Sequence, residues 1–196
     1  AEQLGVDPLG HAREQAAKPL DPNSTFARWL ASEHERVRVV RRERIPYPAA
    51  GDDREGFIRA ALHNIWNGRM LGDCRLLYAD NARLHASARE DYDGVDHITR
   101  FYMDILGAMP DARISVDYTC SKAMRDGEFV AARWVIAGTH SGSALWGEPT
   151  NAPLLMLGES QYRLIDGKVI EEWLVFDELA VLTQVERARR DTVPQQ

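Results

Sequence analysis

Histidines and acids between residues 85 and 97 form the densest group of side chains that could bind a metal ion. Carboxylate oxygens and imidazole nitrogens are ordinary ligands for divalent cations, but the spacing here matches no ligand pattern. Acids ahead of a helix that starts near Val95 are explained by the helix dipole, which favours negative charge at the N-terminus. The sequence therefore predicts no metal site at the residues of this group: His85, Glu90, Asp91, Asp93, Asp96 and His97.

A second position that could do chemistry is Asp177, near the end of the last predicted strand. The dipeptide Asp166-Gly167 predicts a two-residue hairpin turn that pairs Ile165 with Lys168. Strict alternation from that pair places Asp177 opposite Met156. Apolar surroundings disfavour a charged carboxyl group, so we expect a raised pKa for Asp177. Its predicted neighbours on this face are Met156, Gly158, Ser160, Tyr162, Trp173 and Val175.

The opposite face of the same hairpin mixes large apolar side chains with polar ones. Such a surface predicts either a homodimer interface or a packing surface for the N-terminal part of the chain. The residues on this predicted outer face are Leu155, Leu157, Glu159, Gln161, Leu174 and Phe176.

The elements that position these residues start at Asp52, where acids open a helix that Gly68 closes. A short helix over 74–78, a strand over 82–86 and a helix from Val95 to Gly107 follow. After Pro110 the period of apolar residues changes from about 3.6 to 2, and two Asp-Gly turns indicate hairpins. A last helix is predicted over 177–190. Helices followed by an antiparallel meander predict an α+β domain over residues 51–190, with a pocket between the layers.

Residues 1–50 differ from this pattern and are predicted to be an N-terminal extension or linker. They contain several prolines and one amphipathic stretch, 25–40. Five arginines between Arg36 and Arg44 are interleaved with glutamates and lack alternating aromatics, which favours a solvated segment over a nucleic-acid-binding arm. We expect residues 1–20 to pack as a helix or tail outside the pocket, and residues 191–196 to be a flexible tail.

Composition restricts the classes of partner. The chain of 196 residues is 44% hydrophobic and 28% charged, as is typical of a soluble globular protein. A net charge of −6 argues against nucleic acid or an anionic membrane as the main partner. Cys74 and Cys120 match no metal or redox spacing. The sequence has no apolar run long enough to span a bilayer and no signal-peptide pattern, which predicts a cytoplasmic protein. The preference for arginine over lysine suggests a bacterial source.

An ordered series of short motifs runs through the C-terminal half, at residues 138–142, 147–150, 166–173, Asp177, Leu182 and Gln184. This series resembles the SnoaL-like polyketide cyclase family of the nuclear-transport-factor-2-like superfamily. The family pattern reads G-T-H-x-G, G-x-P-T-G, D-G-K-I-x-E-x-W-x-x-x-D and L-x-x-Q-L, and Asn151 replaces the glycine after P-T. The resemblance covers about residues 52–190 and implies a cone-shaped, cystatin-like α+β fold in which a curved antiparallel sheet wraps N-terminal helices around a central pocket.

A second resemblance lies at the start of the chain. The residues Gln3-Leu4-Gly5-Val6-Asp7-Pro8 are similar to the tail with which such a domain usually ends. One interpretation is that residues 1–20 are the end of a preceding copy of the domain.

The resemblance also implies chemistry. Related cyclases close a ring by intramolecular aldol condensation without metal or coenzyme, which requires a base beside an acidified C–H and a donor for the oxyanion. It implies Asp177 as the base. His140 is a second candidate, as proton donor or as the residue that orients the base; an N-cap role for Asp177 and a structural role for His140 remain open. The expected ligand is a small hydrophobic or polyketide-like molecule, bound by Trp66, Tyr102, Trp146, Met156, Ser160, Tyr162 and Trp173.

Two functions stay open at this point. The first is a cofactor-independent cyclase, isomerase or dehydratase-like enzyme. The second is a non-catalytic module that uses the same cone for binding or dimerisation, because a fold does not determine a function.

Overall fold

The computed structural model describes residues 7–48, 53–87 and 91–192. The six helices are α1 (Pro8–Ala17), α2 (Thr25–Arg38), α3 (Arg54–Trp66), α4 (Cys74–Leu77), α5 (Val95–Ala108) and α6 (Glu178–Thr192). The six strands are β1 (Tyr78–His85), β2 (Asp91–Asp93), β3 (Arg113–Met124), β4 (Gly127–Thr139), β5 (Pro153–Ile165) and β6 (Lys168–Phe176). The predicted boundary near residue 50, residues 1–6 and residues 193–196 fall outside the described ranges.

The strands form a single sheet in the order β2-β1-β6-β5-β4-β3. All neighbouring pairs are antiparallel except β1 and β6, which run parallel. The hairpin between β5 and β6 turns at Asp166 and Gly167, whose φ values of 51° and 76° are those of a type I′ turn. The predicted α+β class and both predicted hairpins are confirmed, and the parallel pair at β1 departs from the purely antiparallel sheet that was expected.

Helices α3 and α5 cover the inner face of the sheet. Each begins where the sequence predicts, and Asp53 caps α3 by accepting a hydrogen bond from the backbone N–H of Gly56. Their apolar sides are fully buried at Ile58, Ile65 and Ile98. The main core of the domain therefore lies between these two helices and the inner face of the sheet.

The register between β5 and β6 changes by one residue close to the turn. Ile165 pairs with Lys168 as predicted, but Arg163 pairs with Glu171, so Ile170 is an extra residue on β6. This β-bulge reverses the alternation of every later side chain on β6, because a shift of one residue moves a strand's side chains to the other face. The sequence-based assignment of faces is therefore wrong for β6.

The outer face of the sheet is covered in part by the N-terminal extension. Helix α2 packs Val37 against Val135, Ala137 and Leu155 in a second, smaller apolar cluster. Helix α1 packs against α6, away from the inner face. Of the two uses expected for the outer face, packing against the N-terminal segment is the one observed.

Because the register of β6 differs from the predicted one, the residues predicted to form the dimer surface do not share one exposed face. Leu155 and Leu157 lie under α2, while Leu174 and Phe176 point inward and line the interior of the domain. Oligomeric state itself remains a prediction.

The acid- and histidine-rich segment forms several separate polar contacts. His85 lies between Asp91 and Glu171, with nitrogen–oxygen distances of 2.8 and 3.1 Å, and Arg83 pairs with Asp93 at 2.6 Å. In the described ranges, no group of three or more such side chains is placed to hold a metal ion. Among the same residues, no helix is long and apolar enough to cross a membrane.

Candidate active site

A narrow cavity lies between the helices and the inner face of the sheet. Its free volume is about 10 Å³, which is about the space that one water molecule needs. Its walls are almost entirely apolar and aromatic, and no lysine, arginine or histidine is among them. The lining residues are Leu62, Trp66, Phe101, Tyr102, Ile105, Ile114, Trp134, Ile136, Met156, Ser160, Tyr162, Leu174 and Phe176.

Glu172 is a fully buried carboxyl group beside this cavity. It pairs with Tyr162 across the β5–β6 ladder, and the bulge at Ile170 turns its side chain inward. The hydroxyl of Tyr78 donates a hydrogen bond to Glu172 Oε2. The Tyr102 hydroxyl lies 2.6 Å from the Tyr78 hydroxyl, so Tyr102 can donate in turn to Tyr78.

Burial gives Glu172 the pKa of a group that exchanges protons near neutral pH. Loss of hydration disfavours the carboxylate and raises the pKa of Glu172 to about 7. The nearby hydroxyls, of which Tyr78 has the largest effect, act in the opposite direction by favouring the ionised form. Because the pKa lies near 7, both the acid and the base form of Glu172 are present at neutral pH.

The tyrosines around Glu172 remain protonated. Burial first, and then the Glu172 carboxylate, raises the pKa values of Tyr78, Tyr102 and Tyr162 well above the ordinary value for tyrosine. Each of these hydroxyls is therefore a hydrogen-bond donor at neutral pH, when Glu172 can carry a negative charge.

By distance and angle, two buried polar atoms next to the cavity have no well-formed hydrogen bond, although the Tyr162 hydroxyl lies close enough to Glu172 to favour its ionised form. They are Glu172 Oε1 and the hydroxyl oxygen of Tyr162. Leaving a buried polar atom unsatisfied costs about 1–3 kcal/mol, so such atoms are uncommon away from binding and catalytic sites. Tyr162 lines the cavity, and Glu172 is its partner across the β5–β6 ladder.

On the sheet side of the cavity, opposite α3 and α5, the polar side chain of Ser160 is held in place by Trp134. The indole N–H of Trp134 donates to Ser160 Oγ at 3.1 Å. Gly158 makes room for this ring, because a Cβ at that position would lie 2.2 Å from Trp134 Cη2. The Ser160 hydroxyl lies close enough to Glu172 to lower the pKa of that carboxyl, against the larger effect of burial.

Asp177 lies away from the cavity. Its carboxylate accepts a hydrogen bond from the backbone N–H of Ala180 at 2.9 Å and caps the N-terminus of α6. Its backbone N–H bonds to Leu157 O and not to the expected partner Met156. The predicted inward orientation of Asp177 is therefore wrong, and the reason is the bulge at Ile170.

Trp173 is corrected for the same reason. It pairs with Gln161 instead of Ser160 and lies on the outer face, where 37% of its surface is exposed. Its ring stacks on His85 at 5.7 Å between ring centroids. Trp173 does not line the cavity.

His140 is fully buried at the end of β4, where both of its ring nitrogens have partners. Nε2 donates to Leu145 O at 3.3 Å, and Nδ1 accepts from the Thr150 hydroxyl at 3.2 Å. Burial lowers the pKa of His140, so the neutral ring holds the loop over 140–152. Trp146, in that loop, packs edge-to-face on His140 and is absent from the cavity lining.

The other predicted ligand-binding residues do meet at the cavity. Trp66 and Tyr102 come from the helices, and Met156, Ser160 and Tyr162 come from β5. Glu172 and Tyr78 are not among the site residues predicted from the sequence. A signal was available for Glu172, because Leu174 and Phe176, on its face of β6, are more apolar as a pair than Val175 and Asp177 on the other face.

Residues 57–185 match the family model for the SnoaL-like polyketide cyclase. The chain belongs to the SnoaL-like polyketide cyclase family. The resemblance seen in the sequence is thus confirmed, together with the expected fold. The matched range leaves α1 and α2 outside the family domain.

Solved structures agree with this SnoaL-like fold. IdmH, a proposed polyketide cyclase from Streptomyces antibioticus, is 24% identical, with a TM-score of 0.56 over 65% of this chain and 94% of that one. A proposed SnoaL-like polyketide cyclase from Jannaschia sp. CCS1 is 17% identical, with a TM-score of 0.61 over 78% and 100%. AclR, a proposed hydroxylase from Streptomyces galilaeus, is 19% identical, with a TM-score of 0.57 over 72% and 87%. No curated protein sequence matches this SnoaL-like chain.

Proposed function

We propose that this protein is a cofactor-independent acid–base enzyme of the cyclase or isomerase type, with Glu172 as the group that moves the proton. The observation that supports it best is the fully buried Glu172, with a pKa of about 7, beside an aromatic cavity. A general acid–base group works best when its pKa lies near the working pH. Membership of the SnoaL-like family supports the same reaction class.

The proposed reaction needs only the groups present. Glu172 Oε1 takes a proton from a carbon next to a carbonyl, and the electron pair moves onto the carbonyl oxygen. The Tyr162 hydroxyl donates a hydrogen bond to that oxygen and stabilises the enolate. In a cyclase, the enolate carbon then attacks a second carbonyl of the same molecule, a C–C bond closes the ring, and protonated Glu172 returns its proton to the new alkoxide.

The cavity walls favour a small, neutral and largely apolar carbonyl compound as the substrate. No cationic side chain lines the cavity to neutralise a carboxylate or phosphate. Because the free volume is about 10 Å³, binding of such a molecule requires α5 or the cavity side chains to move away from the sheet.

The proton-transfer step can be tested before the natural substrate is known. Proton NMR in D₂O would follow deuterium exchange at the acidic carbon of 2-tetralone, a bicyclic aromatic ketone. We expect the protein to accelerate exchange and Glu172→Gln to reduce the acceleration by about 10²–10⁴-fold. The matched control is Glu171→Gln, which changes the adjacent glutamate on the outer face and should retain exchange.

The outcomes distinguish the two functions left open by the sequence. Equal acceleration by the native protein and Glu172→Gln would refute Glu172 as the acid–base group. Binding of the ketone without any acceleration would favour the non-catalytic binding module.

A further inference from the structure

A groove lies on the outer side of the molecule, between the N-terminal extension, β5 and α6. Its volume is about 420 Å³, far larger than the interior cavity. We call it the extension groove, because α2 and the residues after α1 form one of its walls. Its apolar lining residues are Leu20, Phe26, Trp29, Leu30, Leu155, Leu157 and Leu179.

Several of these apolar side chains remain exposed to water. Phe26 is 56% exposed and Leu20 is 36% exposed, although both are large and apolar. The rings of Phe26 and Trp29 lie 5.9 Å apart and continue the same surface. A concave apolar surface of this kind is typical of a ligand-binding site.

One end of the groove is cationic. Lys18 Nζ donates to Gln15 Oε1 at 3.1 Å, and Arg187 Nη2 donates to Gln15 O at 3.4 Å, so both cations meet at Gln15. Both side chains line the groove, and the hydrogen bond from Arg187 to Gln15 O is long. A guanidinium that is weakly satisfied within the protein binds a carboxylate through a charge-assisted hydrogen bond.

The other end of the groove is anionic. Asp177 caps α6, the helix that carries Arg187, so the two ends lie about 15 Å apart along the helix axis. A negatively charged head group is repelled at the Asp177 end and attracted at the Arg187 end. With a net charge of −6, the protein as a whole does not attract anions. Attraction of a negatively charged head group must therefore come from the cations at the Arg187 end of the groove.

We propose that the extension groove binds an elongated apolar molecule with one carboxylate, such as a medium-chain fatty acid. Its carboxylate contacts Arg187 and Lys18, and its apolar body lies along Phe26, Trp29 and Leu157. This site is separate from the cavity beside Glu172 and does not depend on the proposed acid–base activity.

Decanoate is a suitable probe, with decanol and decylamine as probes of the same length that lack the negative charge. Calorimetry would give the affinities, and the fluorescence of Trp29, compared with that of Trp29→Phe, would report on the site. We expect decanoate to bind more tightly than either control. We expect the double variant Lys18→Gln/Arg187→Gln to weaken decanoate binding by about tenfold or more, because a charge-assisted contact is lost.

Two variants locate the bound decanoate. Arg190→Gln changes an exposed arginine of the same helix and should leave the affinity unchanged. Glu172→Gln changes the interior site and should also leave it unchanged. If Lys18→Gln/Arg187→Gln proves unstable, Phe26→Ser on the exposed rim replaces it, and it should weaken decanoate and decanol alike.

Several results would overturn the proposal. These are equal affinity for decanoate and decanol, no binding of decanoate, or loss of binding in Glu172→Gln. A dimer in sedimentation that buries Phe26 and excludes decanoate would show that a second copy of the chain covers the groove instead.

Discussion

Substituting Glu172 by Gln should change how the stability of the protein depends on pH. The native carboxyl has a pKa of about 7 when folded, compared with an ordinary value of 4.5. The folded state therefore holds the Glu172 proton more tightly than the unfolded state does. Its contribution to stability is complete below about pH 4.5 and is lost as pH rises through about 7.

The size of the effect follows from the two pKa values. One pKa unit corresponds to 1.36 kcal/mol, so the full loss on ionisation of Glu172 is about 3 kcal/mol. Between pH 5 and pH 8 about 2–3 kcal/mol of this should appear as a fall in the free energy of unfolding. The amide that replaces the carboxyl in Glu172→Gln has no proton to lose, so the variant should lack this component of the fall.

Urea unfolding of both proteins at several pH values measures this difference directly. The free energy of unfolding of Glu172→Gln minus that of the native protein should rise by about 2–3 kcal/mol from pH 5 to pH 8. Glu171→Gln, on the outer face, is the control for the loss of a neighbouring charge. If the native and Glu172→Gln curves run parallel within about 0.5 kcal/mol, Glu172 does not titrate near neutral pH and the proposed acid–base role fails.

Three further predictions concern other parts of the molecule. Cys74 is buried and its pKa is raised to about 11, whereas Cys120 is exposed, so a thiol reagent should modify one cysteine per native chain and two after unfolding in urea. Gly158→Ala should lower the free energy of unfolding by about 1–3 kcal/mol, because its Cβ would overlap the Trp134 ring; Gly72→Ala, with open space around it, should be nearly neutral in the same assay. We still expect a homodimer, now through the outer-face residues Tyr118 and Val175, each 61% exposed, beside the cross-strand pair Arg133–Glu159. Sedimentation of Val175→Lys should show a monomer, and a native monomer at micromolar concentration would contradict the prediction.

Local sequence signals were sufficient for most of the fold. The acids that begin at Asp52, the two Asp-Gly dipeptides and the change of period after Pro110 each depend on a few neighbouring residues, and each predicted the observed helix, hairpin or strand. The predicted strand over 82–86 was too short, because β1 begins at Tyr78, which pairs with Val169 of β6, a contact that the sequence of β1 does not indicate.

The candidate site was harder to predict because it depends on register. Five of the predicted pocket residues line the cavity, since they lie on helices or on β5, before the turn, and whether they bind a ligand remains a prediction. Because one bulge shifts the register, every residue predicted to face inward on β6 lies on the outer face instead. Ile170 is neither glycine nor a turn residue, so nothing in the local sequence marks it as the extra residue.

The register can be tested without knowing any substrate. In a Cys120→Ser background, Leu174→Cys and Val175→Cys place a thiol on adjacent residues of β6. The bulge puts Leu174 inward at 5% exposure and Val175 outward at 61% exposure, so Val175→Cys should react quickly with a thiol reagent and Leu174→Cys slowly. A regular hairpin would reverse the two rates, because a shift of one residue exchanges the faces. Fast labelling at 174 and protection at 175 would turn Glu172 to the outer face and return Asp177 to the cavity as the candidate base.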